Sequence, residues 1–187
     1  MTALAVNRVG FEEYETDIKE NWISAFLEFS DAIIQDWIEE GLADGKDGFE
    51  EIAEWDLSGA LDQLYKKDIQ NFKHEDVVIV GLVNTDRDEL IGGSYTHILD
   101  DETRAKINRL WVPEHHRGNG YGELMFQENL EAAKERGVDV IRLSNGDPFR
   151  GTDMYLDYGF EHRGPFPSST VPDMLLDHWN FLELRLD

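Results

Sequence analysis

Three glycines within five residues, Gly118, Gly120 and Gly122, stand between an alternating apolar run and a stretch of helical periodicity. No other segment of the chain limits the fold as tightly. Without Cβ atoms the backbone can curl so that successive N–H groups converge. A helix starting there adds partial positive charge at the same point. Together these make a pyrophosphate site that needs little side-chain help, with Arg117 able to add charge. Two other phosphate loops do not fit. No Gly-Lys-Ser/Thr follows, and the spacing is GxGxG rather than GxGxxG, with residues 113–117 between strand and glycines. Taken alone, the glycines also suit a turn that binds nothing.

The flanking residues set the architecture. Residues 3–9 form a first candidate strand. From Thr16 to Gly41, Ile18, Trp22, Phe26, Phe29, Ile33 and Trp37 recur at helical spacing. Ser58 can cap a second helix carrying Leu61, Leu64 and Tyr65. Val77–Asn84, Glu89–Leu99 and Arg104–Val112 then read as an antiparallel meander. In the third of these, Ile107 lies three residues before Leu110, which breaks the period of two. A bulge near Arg109 restores both to one face and frees backbone groups. The helix after the glycines runs to about Arg136, with Phe126, Leu130 and Ala133 on one face and Gly137 at its end. Residues 138–143 form a strand, and a short helix starts at Asp147-Pro148 and ends at Gly159. Residues 160–164 and 178–186 are the last strands, joined by a loop with Pro165, Pro167 and Pro172. The order predicts an α/β (α+β) domain over residues 1–187.

Forty acidic residues face 17 basic ones, seven of them Lys, for a net charge of −23. The acids run along the whole chain. This favours adaptation to a high-salt solvent over a dedicated cationic ligand. It opposes non-specific nucleic-acid binding, because phosphates are repelled. The chain has no cysteine, which excludes disulfides, thiolate metal sites and a cysteine nucleophile. Its six histidines show no metal-binding spacing, so no metal is expected. No apolar run approaches the roughly 20 residues of a membrane span, and no secretory leader is evident, so the expected location is cytoplasmic.

Two motifs together resemble a family. Ile107-x-x-Leu110-x-Val112-x-Pro-Glu-x-x-Arg117-x-x-Gly120-x-Gly122 is similar to the acetyl-CoA signature of GNAT-type N-acetyltransferases. Tyr155-Leu-Asp-Tyr-Gly159-Phe160 is similar to that family's later Tyr-x-x-x-Gly-Phe segment. The likeness covers residues 77–162. It implies a mixed, mostly antiparallel twisted sheet of six to seven strands flanked by about four helices. It implies acetyl-CoA as cosubstrate, held at the pyrophosphate by backbone amides of Arg117, Gly118, Asn119, Gly120, Tyr121 and Gly122. The strand Leu110, Trp111 and Val112 would bond the pantetheine arm and polarise the thioester carbonyl. Tyr155 would protonate the leaving thiolate. Without the resemblance, Tyr155 is a core aromatic on a short helix, the reading Tyr158 takes beside Gly159. The chain departs from the family at Pro148 and Gly151, where Asn and Ala are usual; Asn145 is out of register.

The general base is not evident; His97, Glu102 and Glu114 are candidates, and His115 and His116 precede the phosphate loop. The acceptor would be a small-molecule or peptide amine bound between elements 10–70 and 161–187, with Trp55, Tyr65, Phe166 and Asp173 as candidate lining residues. The protein would act as a monomer or homodimer, with no nucleic acid or membrane partner. Two alternatives stay open: a non-catalytic acyl-CoA-binding module with the same fold, and a nucleotide-binding domain.

Overall fold

The computed structural model describes residues 3–25, 28, 66, 68, 70, 72–99, 103–146, 151–167, 176–177 and 179–186. Seven strands form one sheet in the order β1-β2-β3-β4-β5-β7-β6. They are β1 (Leu4–Val9), β2 (Val77–Asn84), β3 (Glu89–Ile98), β4 (Arg104–Trp111), β5 (Val140–Gly146), β6 (Glu161–Arg163) and β7 (Trp179–Arg185). Only β4 and β5 pair in parallel; the other neighbours are antiparallel. A parallel pair needs a crossover, and the helix after the glycines supplies it. That helix is α1 (Tyr121–Glu135), and a shorter one, α2 (Thr152–Asp157), follows β5.

Most expected boundaries hold, and the helix after the glycines ends where Gly137 takes the left-handed φ of 72°. The fifth strand begins two residues later than expected and extends to Gly146. Its pattern, buried at Ile141 and Leu143, continues past the apolar residues because β7 pairs with it to the end. Among the described residues, two α-helices and one 3-10 turn (Glu114–His116) are delimited, and residues 15–25 are also helical. The expected helix start at Asp147-Pro148, the rest of the first helix and most of the second lie outside the described residues.

Both faces of the sheet are covered. On one, Met125, Phe126, Leu130, Ala132 and Ala133 of α1 are buried, and Ile107, Ile141, Leu143, Tyr155 and Leu182 join them. On the other, Ile18 and Trp22 of the N-terminal helical segment pack with Phe11, Phe72, Val83, Leu90 and Tyr95. One polar group sits inside the first face. Asn129, fully buried on α1, donates to Ser94 Oγ and the Met125 carbonyl, both at 2.6 Å, and accepts from Thr96 Oγ1 at 2.7 Å. With its amide satisfied, Asn129 fixes the rotation of α1 against β3.

Candidate active site

The two central strands part company. β4 and β5 are paired only at Arg104↔Val140, Ala105↔Ile141 and Lys106↔Arg142. Beyond that, β4 continues to Trp111 and β5 to Gly146, and their facing edges no longer bond to each other. The cause lies in β4. Arg109 has a φ of 57°, and Tyr95↔Asn108 is followed by Gly93↔Trp111, so β4 carries one extra residue there. This is the bulge the Ile107–Leu110 spacing predicted. It keeps Ile107, Leu110 and Val112 on the α1 face. The left-handed conformation costs a non-glycine residue about 1–2 kcal/mol, so something must hold it. Gly92 on β3 lets the strands close up beside it: a Cβ there would sit 2.9 Å from the Trp111 carbonyl oxygen.

Next comes the glycine loop. Gly118 and Gly120 have φ of 75° and 81°, and no atom lies within 4 Å of where a Cβ would stand on either. Gly120 is the N-cap of α1, and its carbonyl accepts from Leu124 N–H at 3.0 Å. Among the described residues the N–H groups of Gly118 to Gly122 donate to no acceptor. Five free donors at a helix start fit an anionic diphosphate. The Arg117 amide is different: it donates to the Glu114 carbonyl at 3.1 Å. The Arg117 side chain is also committed, with Nε donating to the Val112 carbonyl at 2.7 Å and its terminal nitrogen paired with Glu28. Glu28 accepts from Trp111 Nε1 too, at 3.0 Å. It ties the strand end to the loop, and no motif announced it. The Asn119 side chain braces the loop from within, bonding the His116 and Arg117 carbonyls. Tyr121 packs against the Val112–Met125 cluster.

Tyr155 lies in the same apolar cluster as Ile107 and Leu143, where β4 and β5 separate. It is 8% exposed, with its ring 5.0 Å from Phe126. Burial alone pushes its phenol up to about 12. No hydrogen bond to its hydroxyl occurs among the described residues. Tyr158 contrasts: its hydroxyl donates to Glu123 at 2.9 Å and accepts from Gln127. At Gly151, α2's N-cap, a Cβ would sit 3.6 Å from the Tyr155 hydroxyl, an ordinary contact. The family's usual alanine would therefore fit.

Other candidates separate. His97 is half-buried and faces the Tyr95 side of β3. Glu114 and His115 are exposed. Phe166 packs edge-on against Phe181 beneath Arg142 and is a core residue rather than a lining one. Glu102, Trp55, Tyr65 and Asp173 lie outside the described residues. Asn145 donates to Thr152 Oγ1 at 2.8 Å, joining the end of β5 to α2. A cavity of about 510 Å³ opens beside the strand splay, between the N-terminal helical segment, the β2–β3 turn and residues 111–116. Trp111, His115 and His116 line it, with Asp17, Glu20 and Glu89; Tyr155 does not.

The strand splay, the left-handed glycine loop and the motif order converge with the comparisons. The sequence model described as the acetyltransferase (GNAT) family matches residues 42–160. The chain belongs to the GNAT acetyltransferase family. No curated protein sequence matches it. Its fold is similar to that of a GNAT-family acetyltransferase from Staphylococcus aureus, at 19% identity over 99% of this chain and 100% of that one, with a TM-score of 0.61. An acetyltransferase from Streptococcus agalactiae gives 14% identity, full coverage of both chains and 0.60. The PaiA N-acetyltransferase from Thermoplasma acidophilum, in complex with coenzyme A, gives 17% identity, 98% and 99% coverage, and 0.57. The GNAT fold is thus present, with all seven strands in one sheet. Among the described residues no group of side chains suits a metal ion and no helix is long and apolar enough to cross a membrane.

Proposed function

We propose that this GNAT protein is an N-acetyltransferase that moves an acetyl group from acetyl-CoA to the primary amine of a small molecule or peptide, by direct attack in a ternary complex. The observation that carries the reading is the pair of left-handed glycines, whose amides, without an acceptor among the described residues, crown α1 where β4 leaves β5. The amides of Gly118, Asn119, Gly120, Tyr121 and Gly122 would hold the pyrophosphate. The freed edge of β4 at Leu110 and Trp111 would bond the pantetheine arm. Val112, whose carbonyl accepts from Arg117 Nε, would continue that edge toward the arm. The reaction would take place in the cytoplasm. Residues 1–187 would form one domain, with the donor core at about 77–162 and the acceptor side at about 10–70 and 161–187.

The chemistry asks three things of the chain. An N–H of the bulged strand donates to the thioester oxygen as negative charge grows there. The amine nitrogen forms a bond to the carbonyl carbon and gives up its proton to a base or to water, and the C–S bond breaks with its electron pair on sulfur, so that CoA leaves as a thiolate that takes up a proton from solvent. Tyr155 then faces the departing sulfur as a neutral donor. With its pKa near 12, full transfer to a thiolate of pKa about 8.5 is uphill, so a hydrogen bond that strengthens as charge reaches sulfur is the role that fits.

Incubation with acetyl-CoA and a panel of amines, reading free thiol, tests the proposal. Tyr155→Phe is expected to lower kcat by about 100-fold or more with CoA affinity kept. Calorimetric CoA binding without thiol release on any amine would make the protein a non-catalytic acyl-CoA-binding module instead. Preference for ATP or NAD over CoA would remove the donor assignment.

A further inference from the structure

The strained residue of β4 is held from outside the sheet. Arg109 sits at the bulge with a φ of 57°. Its side chain reaches Asp68, from the helical residues before β2, where Nε donates to Oδ2 at 3.0 Å. The guanidinium lies 5.5 Å over the Trp22 ring. Asp68 is itself buried, at 5% exposure, and accepts two further bonds. Trp22 Nε1 reaches Oδ2 at 2.6 Å, and the Tyr95 hydroxyl reaches Oδ1 at 2.8 Å. A buried carboxylate with three donors is fixed in place. Its anchor points come from the N-terminal helical segment, the helical residues before β2, and β3. The remaining partner in this set is the bulge.

We propose that Asp68 is a positioning residue for the transfer reaction: through Arg109 it holds the β4 bulge in its left-handed form and so aims the strand's backbone donor at the thioester. The proposal rests on the acetyl-CoA reading above for what the bulge does, but the hold itself is independent of it. An extended residue 109 would remove the extra residue from the ladder and shift the β4 edge beyond it. A displacement of about 1 Å at a reacting group can cost roughly 100-fold in rate. The glycine loop lies past Val112 and has its own bonds to His116 and Arg117, so the pyrophosphate contacts stay while the arm's contacts at Leu110 and Trp111 shift with the thioester.

Four proteins decide it: the wild type, Asp68→Asn, Arg109→Gly and Asp68→Asn/Arg109→Gly. The carbon chemical shifts of Arg109 report whether its φ is positive, with or without substrate. In Asp68→Asn they are expected to move to extended values, and kcat on the best amine to fall by roughly 100-fold, with CoA affinity falling no more than about tenfold because the pyrophosphate contacts remain. Glycine adopts the left-handed form without strain, so the double variant is expected to recover at least tenfold of that loss. An Asp68→Asn protein with left-handed shifts and full turnover overturns the proposal, and so does a double variant no faster than the single one. If Asp68→Asn does not fold, Arg109→Gly against Arg109→Ala replaces it: glycine should be at least tenfold faster, and equality rejects the hold. A wild type that turns over no amine defeats the acetyltransferase reading instead, and the Arg109 shifts still decide whether Asp68 holds the bulge.

Discussion

Tyr155 and Tyr158 are one turn apart, yet their hydroxyls meet different surroundings. Tyr158 bonds to Glu123 and Gln127 of α1, while Tyr155 points its phenol into the apolar cluster at the strand splay. Burial raises the Tyr155 pKa to about 12, against about 10 for the unfolded chain. The folded protein therefore holds this proton more tightly than the unfolded one. The stability linked to it is complete below about pH 10 and is lost as pH rises to about 12, amounting to roughly 3 kcal/mol. Tyr155→Phe should remove that part of the alkaline unfolding curve, followed by circular dichroism. A component from Tyr14 should remain, because its hydrogen bond to Asp88 and then burial raise it to about 12 as well. In the pH–rate profile, no alkaline limb from Tyr155 should appear below about pH 10. Gly151 offers a second test. Its φ of −83° suits any residue and a Cβ there meets only ordinary contacts. Gly151→Ala is expected to raise stability by about 0.4–1 kcal/mol in urea titrations.

At the level of elements, the site is the junction of β4, the glycine loop and α1. Gly120 is left-handed at the N-cap, so Gly120→Ala should not clash but should pay about 1–2 kcal/mol for the conformation. If the loop relaxes when empty, CoA must restore it, and calorimetry should give affinity roughly tenfold weaker. α1 is itself fixed by the buried amide of Asn129 between Ser94, Thr96 and its own Met125 carbonyl. Asn129→Ala leaves two buried hydroxyls short of a partner and is expected to cost about 1–3 kcal/mol by chemical denaturation. The bulge was legible from the Ile107–Leu110 spacing alone. What holds it was not, since Asp68 is 41 residues away in sequence and sits in no motif.

Over the whole molecule, 40 acidic residues against 17 basic ones make self-repulsion a general term rather than a feature of one site. Several exposed arginines are each drawn to glutamates, as Arg8 is to Glu128 and Glu135. Such exposed pairs contribute little, about 0–1 kcal/mol each. Salt should therefore act mainly by screening the excess negative charge. The melting temperature is expected to rise from low to multimolar KCl; a flat or falling curve would show that repulsion is not what limits stability.

The sequence by itself determined the local chemistry: glycines where the backbone turns left-handed, a broken strand period where β4 bulges, apolar spacing that puts α1 on the sheet, and the family. These are short-range consequences of φ/ψ preference and periodicity. Tertiary structure decided which polar groups are already engaged. Glu28 takes up Arg117 and Trp111, the Glu114 carbonyl takes the Arg117 amide, and Tyr158 is bonded while Tyr155, among the described residues, is not. It also placed Asp68 behind Arg109. Spacing along the chain cannot carry such facts, because each depends on where distant segments bring a donor within about 3 Å of an acceptor.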